Sequence, residues 1–399
     1  MEPAWKDIDD QNIHIDTTSE NRLKKLSKDQ QELTGTEYTQ KLRDLYSQMH
    51  HTSWLSSTAS DSSAISKLLK TAKPILSNKT PHLLPTILDI SQLPHANAQN
   101  YSKSCINALE FQGTTLLSAG KDKRLRIFNV DGVDNPLQAV VYMKDLPISS
   151  AHFCDTSIYL SGSRPYFYEY DVPTERLHRI SHIIGYEKEQ LGKMAVSPDN
   201  RFVVFLGVNG KVMFISTSSN KLLFEFKMNQ DGHALTFLDE NTLLTGGDEG
   251  EIYLWDISMR RCIRRFCDEG STKITCMSTC GDYLATGSTN GVVNLYNTKN
   301  DDFSLPSPPP IKSVMNLTTA IDGVTFNHNA EILAMYSRWK RDAVKLLHVP
   351  SQTVFSNWPG IRDHIKYPMS LAFSSNSELM SVGNDEGVAL LYRLNHYAN

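Results

Sequence analysis

Apolar and polar residues alternate along most of this chain, in short runs punctuated by turns rich in glycine and asparagine. Alternation with period two marks strands that bury one face. The clearest stretch is Leu243 to Asp256, LLTGGDEGEIYLWD: a strand, a tight Asp-Glu-Gly turn, a second strand and a closing Trp-Asp. Weaker copies recur on both sides. Aligned on the apolar residue near the end of each third strand, the copies reach Phe128, Tyr170, Phe214, Trp255, Tyr296, Leu347 and Tyr392, spaced by 42, 44, 41, 41, 51 and 45 residues. A repeat of about 40–45 residues built from strand–turn–strand units predicts a β-propeller. The long gap holds a polar, proline-rich insert, NDDFSLPSPPP, Asn300 to Pro310.

Each copy carries its own reasons for forming strands. Alternation places Leu116, Leu125 and Ile127 on one face, and likewise Leu243, Ile252 and Leu254. The turns carry Asn209-Gly210, Asn290-Gly291, Asp248-Glu249-Gly250 and Asp385-Glu386-Gly387, residues that tolerate the positive φ of tight hairpins. Small residues precede the turns (Ser118-Ala119-Gly120, Thr245-Gly246-Gly247, Thr286-Gly287-Ser288) and suit close packing near a narrow central channel. The prediction is an all-β, seven-bladed WD-repeat propeller over 81–399, preceded by a helical and extended segment over 1–80. After Tyr392 no outer strand follows, so a segment before the first repeat must close the ring. Leu83 to Ser91, LLPTILDIS, is the apolar candidate.

The amino-terminal 80 residues have a different texture. An acidic head (Asp7, Asp9, Asp10, Asp16) precedes a basic patch (Arg22, Lys24, Lys25, Lys28). Thr34-Gly35-Thr36-Glu37 has capping-box spacing, with Thr34 bonding an orphan N–H and Glu37 reaching back. A helix over about 34–50 then places Tyr38, Leu42, Leu45, Tyr46 and Met49 on one face. A Ser-rich linker, Ser56 to Ser66, follows. The stripe either packs on its own propeller or serves as a helix-in-groove element for a partner.

Composition narrows the function class. A formal net charge of -4 lacks the basic footprint of a dedicated nucleic-acid binder. No apolar run approaches the ~20 residues of a membrane span, so no membrane partner is expected. Six cysteines are scattered, and Cys276 and Cys280 have no histidine close by, so free thiols are expected rather than zinc. Nothing clusters His, Ser and Asp, and no phosphate-binding loop occurs; neither an enzyme nor a cofactor is expected. Thr245, Asp248 and Trp255 read as members of a hydrogen-bonded network that braces the blade, with His233 too close to the first strand to complete it. Arg338-Trp339-Lys340-Arg341 falls where strands two and three of blade six turn. A basic turn with an exposed Trp can stack a base and neutralise phosphate. Lys121, Lys123 and Arg124 occupy the matching turn of blade one and would share its rim. Arg260, Arg261, Arg264 and Arg265 frame an outer strand, where some of them protect its edge.

Several strings are more specific than any WD pattern: PIKSVMNLTTAIDGVTFN (Pro310 to Asn327), TVFSNWP (Thr353 to Pro359), LYRLNHY (Leu391 to Tyr397), LLSAGKDKRLRIFNVDG (Leu116 to Gly132), RCIRRFCDEGS (Arg261 to Ser271) and LTGTEYTQKLRDLYSQMH (Leu33 to His50). Together, from about residue 33 onward, they resemble the U3 small nucleolar RNA-associated protein 18 family. The resemblance implies a non-catalytic scaffold in the nucleus and nucleolus. Its members sit with other UtpB-type subunits in the small-subunit processome, on pre-rRNA with the U3 small nucleolar RNA particle, and act in early cleavages toward 18S rRNA. Some members also carry a Leu-Phe-x-Pro-Asp-like motif that recruits the exosome helicase. Here the only Leu-Phe pair is Leu223-Phe224 in a propeller strand, so the resemblance does not carry that recruitment over. The alternative from another class is a generic WD adaptor, such as a ubiquitin-ligase substrate receptor. Nucleolar against diffuse localisation separates the two.

Overall fold

The computed structural model describes residues 12–16, 32–49 and 83–398, apart from 182, 184, 188, 361 and 362. The chain divides into two compact units, Met1–His82 and Leu83–Asn399. The larger unit is a ring of seven four-stranded antiparallel sheets. Its inner strands are Ile106–Gln112, Ser150–Cys154, Lys193–Val196, Gly232–Asp239, Ile274–Cys280, Gly323–Phe326 and Pro368–Phe373. Each touches the next, and the seventh touches the first, so the ring closes. All seven residues used to align the repeats fall in third strands, such as Arg124–Asn129 for Phe128 and Glu251–Asp256 for Trp255.

The faces differ from the sequence expectation. Leu116 pairs with Phe128, whereas Leu117 pairs with Ile127 and Ala119 with Leu125. Leu116 therefore lies on the face opposite Leu125 and Ile127. Likewise Leu243 sits opposite Trp255, away from the face of Ile252 and Leu254. The cause is stacking. A blade has a neighbour on each side, so its middle strands are buried on both faces and lose their alternation. Clean alternation survives only in outer strands such as Leu137–Tyr142. The small residues before the turns also answer to blade stacking. A Cβ on Gly246 would lie 2.8 Å from Cγ2 of Ile274, at the start of the next blade.

The closing strand is Ile90–Leu93, with Ile90 opposite Leu394 and Leu93 opposite Leu391. It overlaps the expected Leu83–Ser91 only at Ile90 and Ser91. The preceding residues form an irregular strap across blades six and seven instead. Leu83 and Leu88 are buried there with Leu346, Phe355, Trp358 and Tyr392. Proline at 85 and the hydrogen bonds that Asn357 and Asn395 make to Leu88 and Asp89 explain why no strand forms. The Leu88 N–H donates to Asn357 Oδ1 (3.0 Å), and Asn357 Nδ2 donates back to the Leu88 carbonyl (2.7 Å). The Asn395 N–H and Nδ2 donate to the carbonyl and carboxylate of Asp89 at 3.0 and 2.9 Å.

In the smaller unit, His14–Asp16 pairs with Glu32–Thr34, and the helix runs Gly35–Met49. Half of the expected capping box is present: the Thr34 N–H donates to Glu37 Oε2 at 3.3 Å. The other half is diverted, because Thr34 Oγ1 meets the Thr36 hydroxyl at 3.2 Å. Tyr38 and Leu45 are half-buried and Leu42 is exposed. The side chains of Tyr46 and Met49, the basic patch and the Ser-rich linker lie outside the described residues.

Candidate nucleic-acid and partner interface

Strand direction alternates within each blade, and all blades run from an inner to an outer strand. Every turn between strands two and three therefore opens on the same rim as the connections that lead from one blade to the next. Both basic turns lie on that rim, separated by blade seven.

The blade-six turn joins Ile332–Tyr336 to Val344–His348 and is held from both sides. Arg338 Nε pairs with Asp322 Oδ1 (2.9 Å), and the Arg338 N–H donates to Asp322 Oδ2 (2.9 Å). At the far end the Asp342 N–H donates to the Lys366 carbonyl (2.7 Å), and the Lys366 N–H to Asp342 Oδ1 (2.9 Å). Arg341 lies 5.6 Å from the centre of the Tyr367 ring. Between these anchors Trp339 is 68% exposed, with Lys340 exposed beside it. A large aromatic ring and its flanking cations are thus fixed in solvent rather than folded away.

The blade-one turn, between Thr115–Gly120 and Arg124–Asn129, is likewise built from beneath. Asp122 pairs with the buried Arg126 at 2.6 Å, and the Arg124 N–H donates to Asp122 Oδ1 at 3.2 Å. Arg126 Nε in turn donates to Asn100 Oδ1 at 3.1 Å. Lys121 is exposed; Lys123 Nζ donates to the Lys144 carbonyl (3.1 Å), and Arg124 lies 6.0 Å from the Tyr142 ring centre. Blade two adds a feature that sequence reading passed over. The Arg179 guanidinium sits 4.1 Å from the centre of the Tyr166 ring, beside an open recess lined by Pro165, Ser181 and Glu187. The signal was available: Arg164-Pro165-Tyr166 occupies the same turn position as the other two clusters. Blades six, seven, one and two are consecutive, so these groups form one arc of the rim.

The other singled-out residues are structural in placement. Trp255 Nε1 donates to Thr245 Oγ1 at 2.8 Å in a buried bond. Asp248 does not join that bond. It pairs with Lys273 (3.0 Å), tying its turn to the next blade, and lies 3.2 Å from Nε2 of His233 on its own inner strand. A fuller network lies in blade five, where sequence reading missed it. Buried Asp268 accepts from Thr286 Oγ1 (2.9 Å), Asn294 Nδ2 (3.1 Å) and the Tyr296 hydroxyl (2.5 Å). Thr286 and Tyr296 repeat the ten-residue spacing of Thr245 and Trp255, which was the signal. Among the outer-strand arginines, Arg260 stacks 4.6 Å from the Phe224 ring centre and Arg265 pairs with Glu251 at 3.7 Å. Arg261 is exposed at the start of Arg261–Cys267. No cluster of metal-ligating side chains forms among the described residues. No helix among them is long and apolar enough to cross a membrane.

Comparison with known proteins agrees with this architecture. Residues 260–297 match the family described as WD domain, G-beta repeat, a span that takes in the outer strand of blade four and the first three strands of the braced blade five. The Arabidopsis thaliana U3 small nucleolar RNA-associated protein 18 homolog is 36% identical across 100% of this chain, which spans 77% of that protein. The human homolog is 34% identical over 78% of the chain and 58% of its own length. The Saccharomyces cerevisiae U3 small nucleolar RNA-associated protein 18 is 28% identical over 99% of the chain and 80% of its own length. On the strength of a relative more than one-third identical over the whole of this chain, with a closed seven-bladed ring beneath it, the chain belongs to the U3 small nucleolar RNA-associated protein 18 family.

Proposed function

We propose that this chain is a non-catalytic scaffold of the nucleolar small-subunit processome. It acts with UtpB-type subunits in early pre-rRNA processing toward 18S rRNA, and the arc of rim from blade six to blade two contacts the RNA. The observation that carries the RNA assignment is the blade-six turn. Asp322 and Asp342 hold its backbone, so Trp339 stays exposed between Arg338, Lys340 and Arg341. A base stacks on such a ring without sequence preference, while the cations take phosphates. Supporting the wider assignment are the names of the relatives, which associate those proteins with the U3 small nucleolar RNA.

The test changes Arg338, Lys340 and Arg341 to Glu and Trp339 to Ala. Losing one stacked base costs about 1–3 kcal/mol, roughly a 5- to 150-fold weakening. Losing three phosphate contacts lowers the salt slope by about 2 for a single strand. Crosslinking to pre-rRNA should fall while the ring still melts in a single transition, shifted only by the lost Arg338–Asp322 pair. An unchanged crosslink yield assigns the turn to solvent.

A further inference from the structure

The proline-rich insert of blade five, whose function is independent of the rim, is fastened at both ends and open in the middle. Phe303 is buried, 5.6 Å from the Phe266 ring centre and 6.4 Å from that of Tyr296. Pro308 is buried, and the Ile311 N–H donates to the Leu295 carbonyl at 2.7 Å. Between these anchors Leu305, Pro306 and Ser307 are exposed. The insert thus presents one hydroxyl, that of Ser307, directly before a proline.

Its neighbour is an unusual arginine. Arg264 lies on the outer strand of blade four, with its guanidinium 5.3 Å from the Phe266 ring centre and 5.0 Å from that of Phe303. Its Nη1 donates to the Leu305 carbonyl at 3.2 Å. Its Nε is buried and has no acceptor. No carboxylate among the described residues pairs with it, and burial alone acts on its pKa, pulling it down. By contrast Arg265, one residue on, is paired with Glu251. A guanidinium held between two aromatic rings, with an orphan donor and no acid partner, is suited to receive an anion. Ser307 is two residues from Leu305, at most about 7 Å along the chain, which puts a phosphate on its hydroxyl within reach of the guanidinium.

We infer that Ser307 is a phosphorylation site for proline-directed serine/threonine kinases, and that Arg264 receives the phosphate. The kinase transfers the γ-phosphoryl group of a nucleoside triphosphate. A bond forms between Ser307 Oγ and phosphorus, the β–γ bridge bond breaks, the nucleoside diphosphate leaves, and the hydroxyl proton passes to the kinase's base. The new dianion pairs with the Arg264 guanidinium and fastens the exposed centre of the insert to blade four.

The test treats the folded full chain with a cyclin-dependent and, separately, a mitogen-activated kinase plus nucleoside triphosphate. Peptide mapping should place the phosphate on Ser307, and Ser307→Ala should remove it. Phosphorus NMR should then show the phosphoserine titrating below the usual value of about 6. Arg264→Gln should return it to about 6, and Arg264→Lys, which keeps the charge in a chain that folds, should retain part of the change. The inference is overturned if neither kinase modifies Ser307 in the folded chain, or if the phosphate maps to another residue. It is overturned equally if the phosphoserine titrates identically in wild type, Arg264→Lys and Arg264→Gln.

Discussion

Leu88→Ala should destabilise the propeller as a core substitution does, although Leu88 belongs to a strap with no regular secondary structure. The strap offers four apolar side chains with opposite fates. Leu83 and Leu88 are 7% and 1% exposed, whereas Leu84 and Ile87 are 59% and 62% exposed. Leu88 fills the seam between blade six, at Leu346, Phe355 and Trp358, and blade seven, at Tyr392 and Leu394. Truncating a buried leucine to alanine costs about 2–5 kcal/mol, from lost transfer energy and the cavity left behind. The backbone bonds to Asn357 and Asn395 survive the change, so the loss reports packing alone. Against a net stability of about 5–15 kcal/mol, this is a large fraction. Leu84→Ala removes the same atoms from an exposed site and should stay within about 0.5 kcal/mol. Urea unfolding of the full chain, followed by tryptophan fluorescence, measures both. If the two variants unfold at the same urea concentration, the strap is a linker and the seam is not closed as described.

Thr245→Val leaves the Trp255 N–H buried without its acceptor and should cost about 1–3 kcal/mol by urea unfolding; a neutral change would show that the bond is dispensable. Burial holds the His348 pKa below its ordinary value, so the unfolded chain binds the proton first; stability is present above about pH 6.5 and falls as pH drops below it. His348→Gln should therefore lose less stability than wild type between pH 7.5 and 5.5, and equal losses would refute the assignment. Leu42→Asp with Leu45→Asp should abolish co-purification with UtpB-type subunits while leaving the melting temperature of the ring unchanged; a lowered melting temperature with partners retained would make the stripe part of this chain's own core.

Strand positions were legible in the sequence because turns and third strands repeat locally. Leu243 to Asp256 announces itself within fourteen residues, and the other third strands follow by spacing. Facing was harder to read: Leu116 and Leu117 are both fully buried, so no polar residue marks which neighbour each one meets. The strap was found as an apolar segment but misread as a strand, because its partners are 269 and 306 residues away. The strings that carry the family resemblance hold those partners. TVFSNWP contains Asn357 and Trp358, LYRLNHY contains Tyr392 and Asn395, and the stretch from Pro310 to Asn327 contains the Asp322 that braces Arg338. Their roles are long-range, which no local period encodes. The basic turn of blade six was visible as a charge cluster; the rigidity that keeps Trp339 in solvent was not.

The most direct measurement is a purification of the tagged full chain from nuclear extract, with bound RNA sequenced and bound proteins identified by mass spectrometry. A processome scaffold should bring down the U3 small nucleolar RNA, pre-rRNA and the UtpB-type subunits together. Recovery of ubiquitin-ligase subunits, with neither RNA enriched, would contradict that role.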